Sequence, residues 1–375
     1  MRFFYFLLTF FIFCLNGFAQ TPTAILSSEQ KNTLLTLGPQ AIQEVLNELN
    51  LDLSNTQDLE SITSEIISSQ ITSETTPKEI SETVTVLTLA LIKLASVDPN
   101  VDLLSAISAI SSASMKTTIQ LASEYNMPTI EIIQATSAGS MAGTLTASKT
   151  LAGDINGDGV VDKRDYADLI LAASSGSFSG AMAFANLAGD VNNDGVVDKK
   201  DFSKILEATT AGISESAIQV ADNLAIDVNY DGKIDARDLK AVVNAVTKSV
   251  VSNTINSVIS NAADMNNDGV VDKKDFNQAL EDTLKAMASP LFANIIASPS
   301  ITISILEDIS LGLILSMISE LNESEEAIDP DPLVEIIQEI LMAVTDDMKP
   351  GLPKILKMET AVHDSTLISP ARARR

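Results

Sequence analysis

The stretch "GDVNNDGVVDKKDF", Gly189 to Phe202, sets aspartates at near-alternate positions around a single glycine, and eleven of its residues, "NNDGVVDKKDF", return from Asn266. Two looser copies flank the first: "DINGDGVVDKRD" from Asp154 and "DVNYDGKIDARD" from Asp227. With "DMNNDGVVDKKD" from Asp264 they make four blocks, spaced 36, 37 and 37 residues apart. Regular recurrence of one supersecondary unit decides an architecture before any single element does.

Each block has Asp at positions 1, 5, 9 and 12, Asn at 3, Gly at 6 and a β-branched apolar residue at 8. This is the oxygen pattern of a twelve-residue calcium loop. A hard cation of that size takes six to eight oxygens, and a short loop can aim them at one point only around a residue that accepts a sharp turn. The candidate ligands are Asp154, Asn156, Asp158, Asp162 and Asp165, with the Val160 carbonyl, in the first loop. The second offers Asp190, Asn192, Asp194, Asp198, Asp201 and the Val196 carbonyl. In the third they are Asp227, Asn229, Asp231, Asp235, Asp238 and the Lys233 carbonyl; in the fourth, Asp264, Asn266, Asp268, Asp272, Asp275 and the Val270 carbonyl. Gly159, Gly195, Gly232 and Gly269 stand at the turn. Carboxylates so crowded repel one another unless a cation is supplied. The expectation is four calcium sites. The eighth residues, Val161, Val197, Ile234 and Val271, are expected to pair loop with neighbouring loop through a short backbone bridge.

Apolar-periodic segments follow the loops, as in "DYADLILAAS" and "DFSKILEATT", and further ones precede the next loops, as in "AMAFANLAG" and "SAIQVADNLAI". They predict exiting and entering helices. From the leading glycine through the apolar positions of the next helix, "GDINGDGVVDKRDYADLILAA" and "GDVNNDGVVDKKDFSKIL" resemble the type I dockerin repeat, within EF-hand proteins in the broad sense. The resemblance implies a secreted calcium-binding module that attaches exported proteins to a cohesin-like partner. Four repeats depart from a dockerin's two. Positions 10 and 11, often small hydroxyl residues in dockerins, are Lys163-Arg164, Lys199-Lys200, Ala236-Arg237 and Lys273-Lys274. Such cations form a recognition face or, on the simpler reading, soften an acidic loop. Asp at position 12, where sensor EF-hands have Glu, implies affinity of about 10⁻⁵ to 10⁻³ M.

Around the repeats the chain reads all-α. Capping boxes at Ser27-x-x-Gln30 and Thr76-Pro77-x-Glu79, with starts at Asp98-Pro99, Asn126-Met127-Pro128 and Asp331-Pro332, place helices at 28–49, 56–71, 77–96, 101–124 and 128–149 and a helical block over 290–349. The opening "MRFFYFLLTFFIFCLNGFAQ" reads as a secretory signal over residues 1–19. The expected organisation is then an N-terminal helical region (20–150), four calcium repeats in two pairs (151–286), a C-terminal helical region (287–349) and a disordered tail (350–375). "ITISILEDISLGLILSMISEL" is interrupted by Glu307, Asp308 and Glu320, so no membrane span is expected in the mature chain. The hydroxyl-rich "SITSEIISSQITSETT" reads as helix exterior.

A net charge of −26 and the absence of Trp argue against nucleic acid as partner. The single Cys14 lies in the signal, so disulfides do not stabilise the exported chain. His363 is the only histidine, no phosphate-cradling loop is present, and Glu325-Glu326 reads as solvated charge; no catalytic residue is assigned. Gly139-x-x-x-Gly143 reads as a close helix contact. The expectation is a secreted or cell-surface, non-enzymatic structural or adhesion protein stabilised by calcium. Docking to a cohesin-like partner is the alternative, and a calcium-triggered switch a weaker one.

Overall fold

The computed structural model describes residues 26–261, apart from 50–52, 54, 150, 152–153, 157, 186–190, 192–198, 225–226 and 229–230. The signal, most of the second loop, the fourth loop, the helical block over 290–349, the tail and His363 lie outside the described residues.

Cap chemistry starts the helices where the sequence places it. Helix α1 (Ser28–Leu37) opens with a reciprocal box: Gln30 N–H donates to the Ser27 hydroxyl at 3.2 Å and Ser27 N–H to Gln30 Oε1 at 2.9 Å. The single helix expected over 28–49 is divided. Gly38, at φ 63°, ends α1, and Pro39 lies in a 3₁₀ turn (Gly38–Ala41) that leads into α2 (Ile42–Glu48). Asn55 caps α3 (Thr56–Gln70), and Thr76 with Glu79 boxes the start of α4 (Pro77–Ala95), with proline at the first helical position. Helix α5 (Leu103–Glu124) begins slightly later than expected because Asp102, not Asp98, supplies the cap to Leu104 and Ser105 N–H. Helix α6 (Thr129–Ser148) follows Pro128.

The repeats correct the expectation of separate exiting and entering helices. One helix does both: α7 (Lys163–Ala185), α8 (Lys199–Leu224) and α9 (Ala236–Asn261) each leave one loop and run unbroken toward the next. The period of 36–37 residues is thus one loop plus one long helix.

Each helix packs most extensively on the helix two places away. Helices α3, α5, α7 and α9 form one layer, and α2, α4, α6 and α8 the other, with consecutive helices meeting across the layers. This is a linear two-layer stack of the solenoid kind, in which stability comes from neighbour-to-neighbour contact. Buried residues from Leu26 to Val250 form one continuous apolar cluster, and the packing of α5 on α7 and α6 on α8 runs through residue 150 without a break. Among the described residues there is no strand, and no helix is long and apolar enough to cross a membrane.

Small residues set the spacing and direction of the layers. A Cβ on Gly139 would stand 2.6 Å from the Ser81 carbonyl oxygen, and one on Gly143 2.7 Å from that of Thr85. Both numbers rise together, so α4 and α6 run parallel. Gly176 and Gly180 of α7 meet the Ser108 and Ser112 carbonyls of α5 in the same way, at 2.2 and 2.5 Å. Hydroxyls fill the same interfaces, contrary to the reading of Ser/Thr-rich stretches as helix exterior. Thr63, Ser69, Ser111, Ser114, Thr118 and Thr136 are buried. Thr118 donates to the Ser114 carbonyl at 2.9 Å, Thr136 to Thr118 Oγ1 at 2.9 Å, and Thr117 to Ser64 Oγ at 2.9 Å. A short hydroxyl returned to its own helix is satisfied without holding the neighbour away.

Gly176→Ala tests this spacing. Alanine gains about 1 kcal/mol of helix propensity, but with backbone 2.2 Å from the new methyl the expected net effect is destabilisation by about 1–3 kcal/mol. The measurement is the urea midpoint, and a raised midpoint would show that α5 and α7 do not touch there.

Candidate metal-binding loops

The first and third loops are described almost throughout, and the second at Val191 and Lys199–Asp201. Their chemistry starts from the helix that follows. Asp162, at position 9, is the N-cap of α7, and its Oδ1 accepts Arg164 N–H at 2.7 Å. Asp165, at position 12, is the third residue of that helix and reaches back, accepting Asp162 N–H on Oδ2 at 2.8 Å. Asp235 and Asp238 repeat both contacts at the start of α9, at 2.9 and 2.7 Å. The D-x-x-D at the end of loops one and three therefore works as a capping pair, with carboxylates placed at the positive end of a helix.

The other oxygen of position 12 ties the head of the loop to its tail. Asp165 Oδ1 accepts Ile155 N–H at 2.7 Å and Asn156 N–H at 3.2 Å. Asp201 takes Val191 N–H at 2.7 Å and Asp238 takes Val228 N–H at 2.8 Å. All three carboxylates are buried, with exposures of 0%, 2% and 4%.

The apolar anchor is position 2, not position 8. Val191 and Val228 are buried, and Ile155 packs on the core. Val161 and Ile234, expected to bridge to a neighbouring loop, are 46% and 60% exposed. Loop two cannot meet loop one or loop three. Helices two apart run parallel, so loops one and three share one edge, while loop two opens the oppositely directed α8. A helix of 23 residues separates the edges by about 35 Å.

Position 1 shapes the turn. Asp154 accepts Asp158 N–H at 2.9 Å on one oxygen and Gly159 N–H at 2.7 Å on the other. Asp227 does the same for Asp231 and Gly232, at 3.1 and 2.8 Å. Gly159 and Gly232 have φ of 85° and 79° with nothing near an added Cβ, so glycine is needed for conformation rather than space. Asn156 accepts Asp158 N–H at 3.0 Å and donates to Asp168 Oδ2 at 2.9 Å. Asp168 lies outside the twelve-residue pattern, three residues past its end, and sequence spacing did not single it out.

Arginine at position 11 engages the remaining carboxylates. Arg164 places Nη2 2.9 Å from Asp162 Oδ2 and Nη1 3.5 Å from Asp158 Oδ2. Arg237 is 2.6 Å from Asp235 and 2.7 Å from Asp231 in the same arrangement. The guanidinium beside Asp235 holds its carboxyl down to about 2, and that beside Asp162 lowers its carboxyl likewise. Among the described residues no three acidic, histidine or cysteine side chains are gathered as a metal cluster. Loops one and three nonetheless suit a hard cation in kind: oxygen donors only, a left-handed glycine at the turn, and a fixed buried carboxylate at the far end. Asn229 and the fourth loop lie outside the described residues.

A family model, the dockerin type I domain, matches residues 152–208, 188–247 and 225–279. Each match covers two successive loops, in three overlapping registers. No curated protein and no solved structure matches the chain. Dockerin domains are calcium-binding, EF-hand-like, protein-binding modules without catalytic activity of their own. Residues 152–279 are thus similar to a run of type I dockerin repeats, and within them loops one and three open onto long capped helices.

Proposed function

We propose that this chain is an exported, calcium-dependent docking scaffold. Its four loops each hold one calcium ion, and the helices between them present a surface to a cohesin-like protein in an extracellular assembly. The observation that carries the calcium reading is the recurrence of one geometry in loops one and three: a position-1 aspartate around a left-handed glycine, and a buried position-12 aspartate clasping the loop's two ends. The docking reading is supported by the family match. Export rests on the apolar opening segment.

In each loop the residues have separable tasks. Asp165 and Asp238 fix the loop ends and start the helix, whereas Asp154 and Asp227 shape the turn. Asn156, Asp158 and the Val160 carbonyl are the further oxygen donors of the first loop, and Asp231 and the Lys233 carbonyl those of the third. Bound calcium supplies the positive charge that lets these oxygens face one another. At free calcium one hundred times the dissociation constant, each site would add about 2.7 kcal/mol to the folded state. Several sites would then rival a domain's whole stability of about 5–15 kcal/mol.

Calcium titration of the chain without residues 1–19 is expected to give four ions, with magnesium competing weakly. Asp154→Ala and Asp165→Ala should each remove one. The second should lower the melting temperature in chelator more, because it strips the acceptor from three part-buried backbone N–H groups, whereas the two that Asp154 accepts are exposed to solvent. Retention of four ions by Asp154→Ala would refute the assignment of loop one.

Immobilised cohesin is expected to capture the chain in calcium and release it in chelator. Replacing Lys199, Lys200, Lys273 and Lys274 by Ser should weaken capture while calcium stoichiometry stays at four. Four bound ions without capture of any cohesin would leave the structural or adhesion role and exclude docking.

A further inference from the structure

The two described loops that are nearly complete share a feature that a calcium ligand pattern does not require. In each, the arginine at position 11 spreads its planar fork over two carboxylates of its own loop: Nε and Nη2 on position 9, and Nη1 on position 5. Position 5 is a donor the metal needs. Loops two and four carry lysine there instead, Lys200 and Lys274. An ammonium is a point charge, without the rigid fork that lets one guanidinium serve two carboxylates at fixed geometry.

We infer that Arg164 and Arg237 are built-in counter-cations that hold loops one and three in shape without metal and compete with calcium for Asp158 and Asp231. This rests on the calcium reading above. For the ion to take Asp158 and Asp162, Arg164 must release both carboxylates; Arg237 stands in the same relation to Asp231 and Asp235. Release is sterically open. Both arginines border a cleft of about 710 Å³ between α7 and α9, where Leu171, Ala241 and Lys240 leave room for a swung guanidinium. The arginines are more than half exposed, so the pairs are weak enough to exchange.

The consequence is two classes of site divided by chemistry at position 11. Sites one and three, on one edge of the stack, load at higher calcium than sites two and four. Opening two exposed pairs per loop sets the difference at about three- to tenfold in dissociation constant.

The test is calorimetric calcium titration of the chain without residues 1–19, beside the double variants Arg164→Lys with Arg237→Lys and Arg164→Gln with Arg237→Gln. The unaltered chain is expected to show two weaker and two tighter sites. The Lys variant, which keeps the charge but not the fork, should tighten the weaker class about three- to tenfold. Its melting temperature should fall in chelator and hold in calcium. Circular dichroism in calcium confirms that each variant folds. Tightening by Gln but not by Lys would mean that the arginines act only through net charge, and would overturn the inference. So would four ions bound with affinities unchanged in both variants, a result that leaves the calcium reading intact. Binding of no calcium by the unaltered chain would overturn both.

Discussion

The described repeats depend on a buried aspartate at the far end of the loop: Asp165, Asp201 and Asp238. A twelve-residue excursion between helices is entropically expensive to close and offers few apolar contacts of its own. Asp165 closes it with two oxygens, one on the backbone of positions 2 and 3 and the other on the cap of the helix it belongs to. Burying a carboxylate is costly unless its lone pairs are taken up. Three N–H donors and a helix N-terminus take them up here, and the same solution appears at Asp238. Position 2 completes the clasp: its N–H is the donor, and its apolar side chain, as in Val191 and Val228, goes into the core.

Given closed loops, the layers are governed by how near two helices can come. Gly139, Gly143, Gly176 and Gly180 put backbone against backbone, and buried Ser and Thr keep the remaining surfaces thin. Larger apolar side chains just inside the described repeat helices are buried beside these contacts: Tyr166, Leu169 and Ile170 in α7, Phe202, Ile205 and Leu206 in α8, Leu239, Val242 and Val243 in α9. They occupy equivalent positions after the loop, so each helix leaves its loop with the same face turned inward.

What the sequence made legible was local. The boxes at Ser27 and Thr76 are read directly because donor and acceptor lie three residues apart, and the loops because four copies keep their oxygens in register. The four-residue spacing of Gly139 and Gly143 announced a close helix contact, but the layering was not legible, since it depends on which distant carbonyl each glycine meets, as Gly176 meets that of Ser108. Positions 2 and 8 are both apolar in every repeat, and only the fold shows that the first is buried and the second is not. Reading the arginines as charges that soften an acidic loop had the right sign but missed the geometry. A basic residue beside aspartates has no direction in a sequence, and the fork over positions 5 and 9 appears only once the helix start fixes where Arg164 points.

A calcium loop can alternate with an ordinary turn in one stack because of where its ends lie. Helices α5 and α6 are joined by residues 125–128 alone, whereas α8 and α9 are joined by 225–235, yet both connections carry the chain from one layer to the other. Position 2 is hydrogen-bonded to position 12, and the described residues between them in loop three, Asp231 to Asp235, are exposed at the edge of the stack. Repeats of this kind extend a helical stack built on ordinary turns without a seam in its apolar core, and changes in exposed residues such as Val161 and Ile234 are felt at the edge before they are felt in the core.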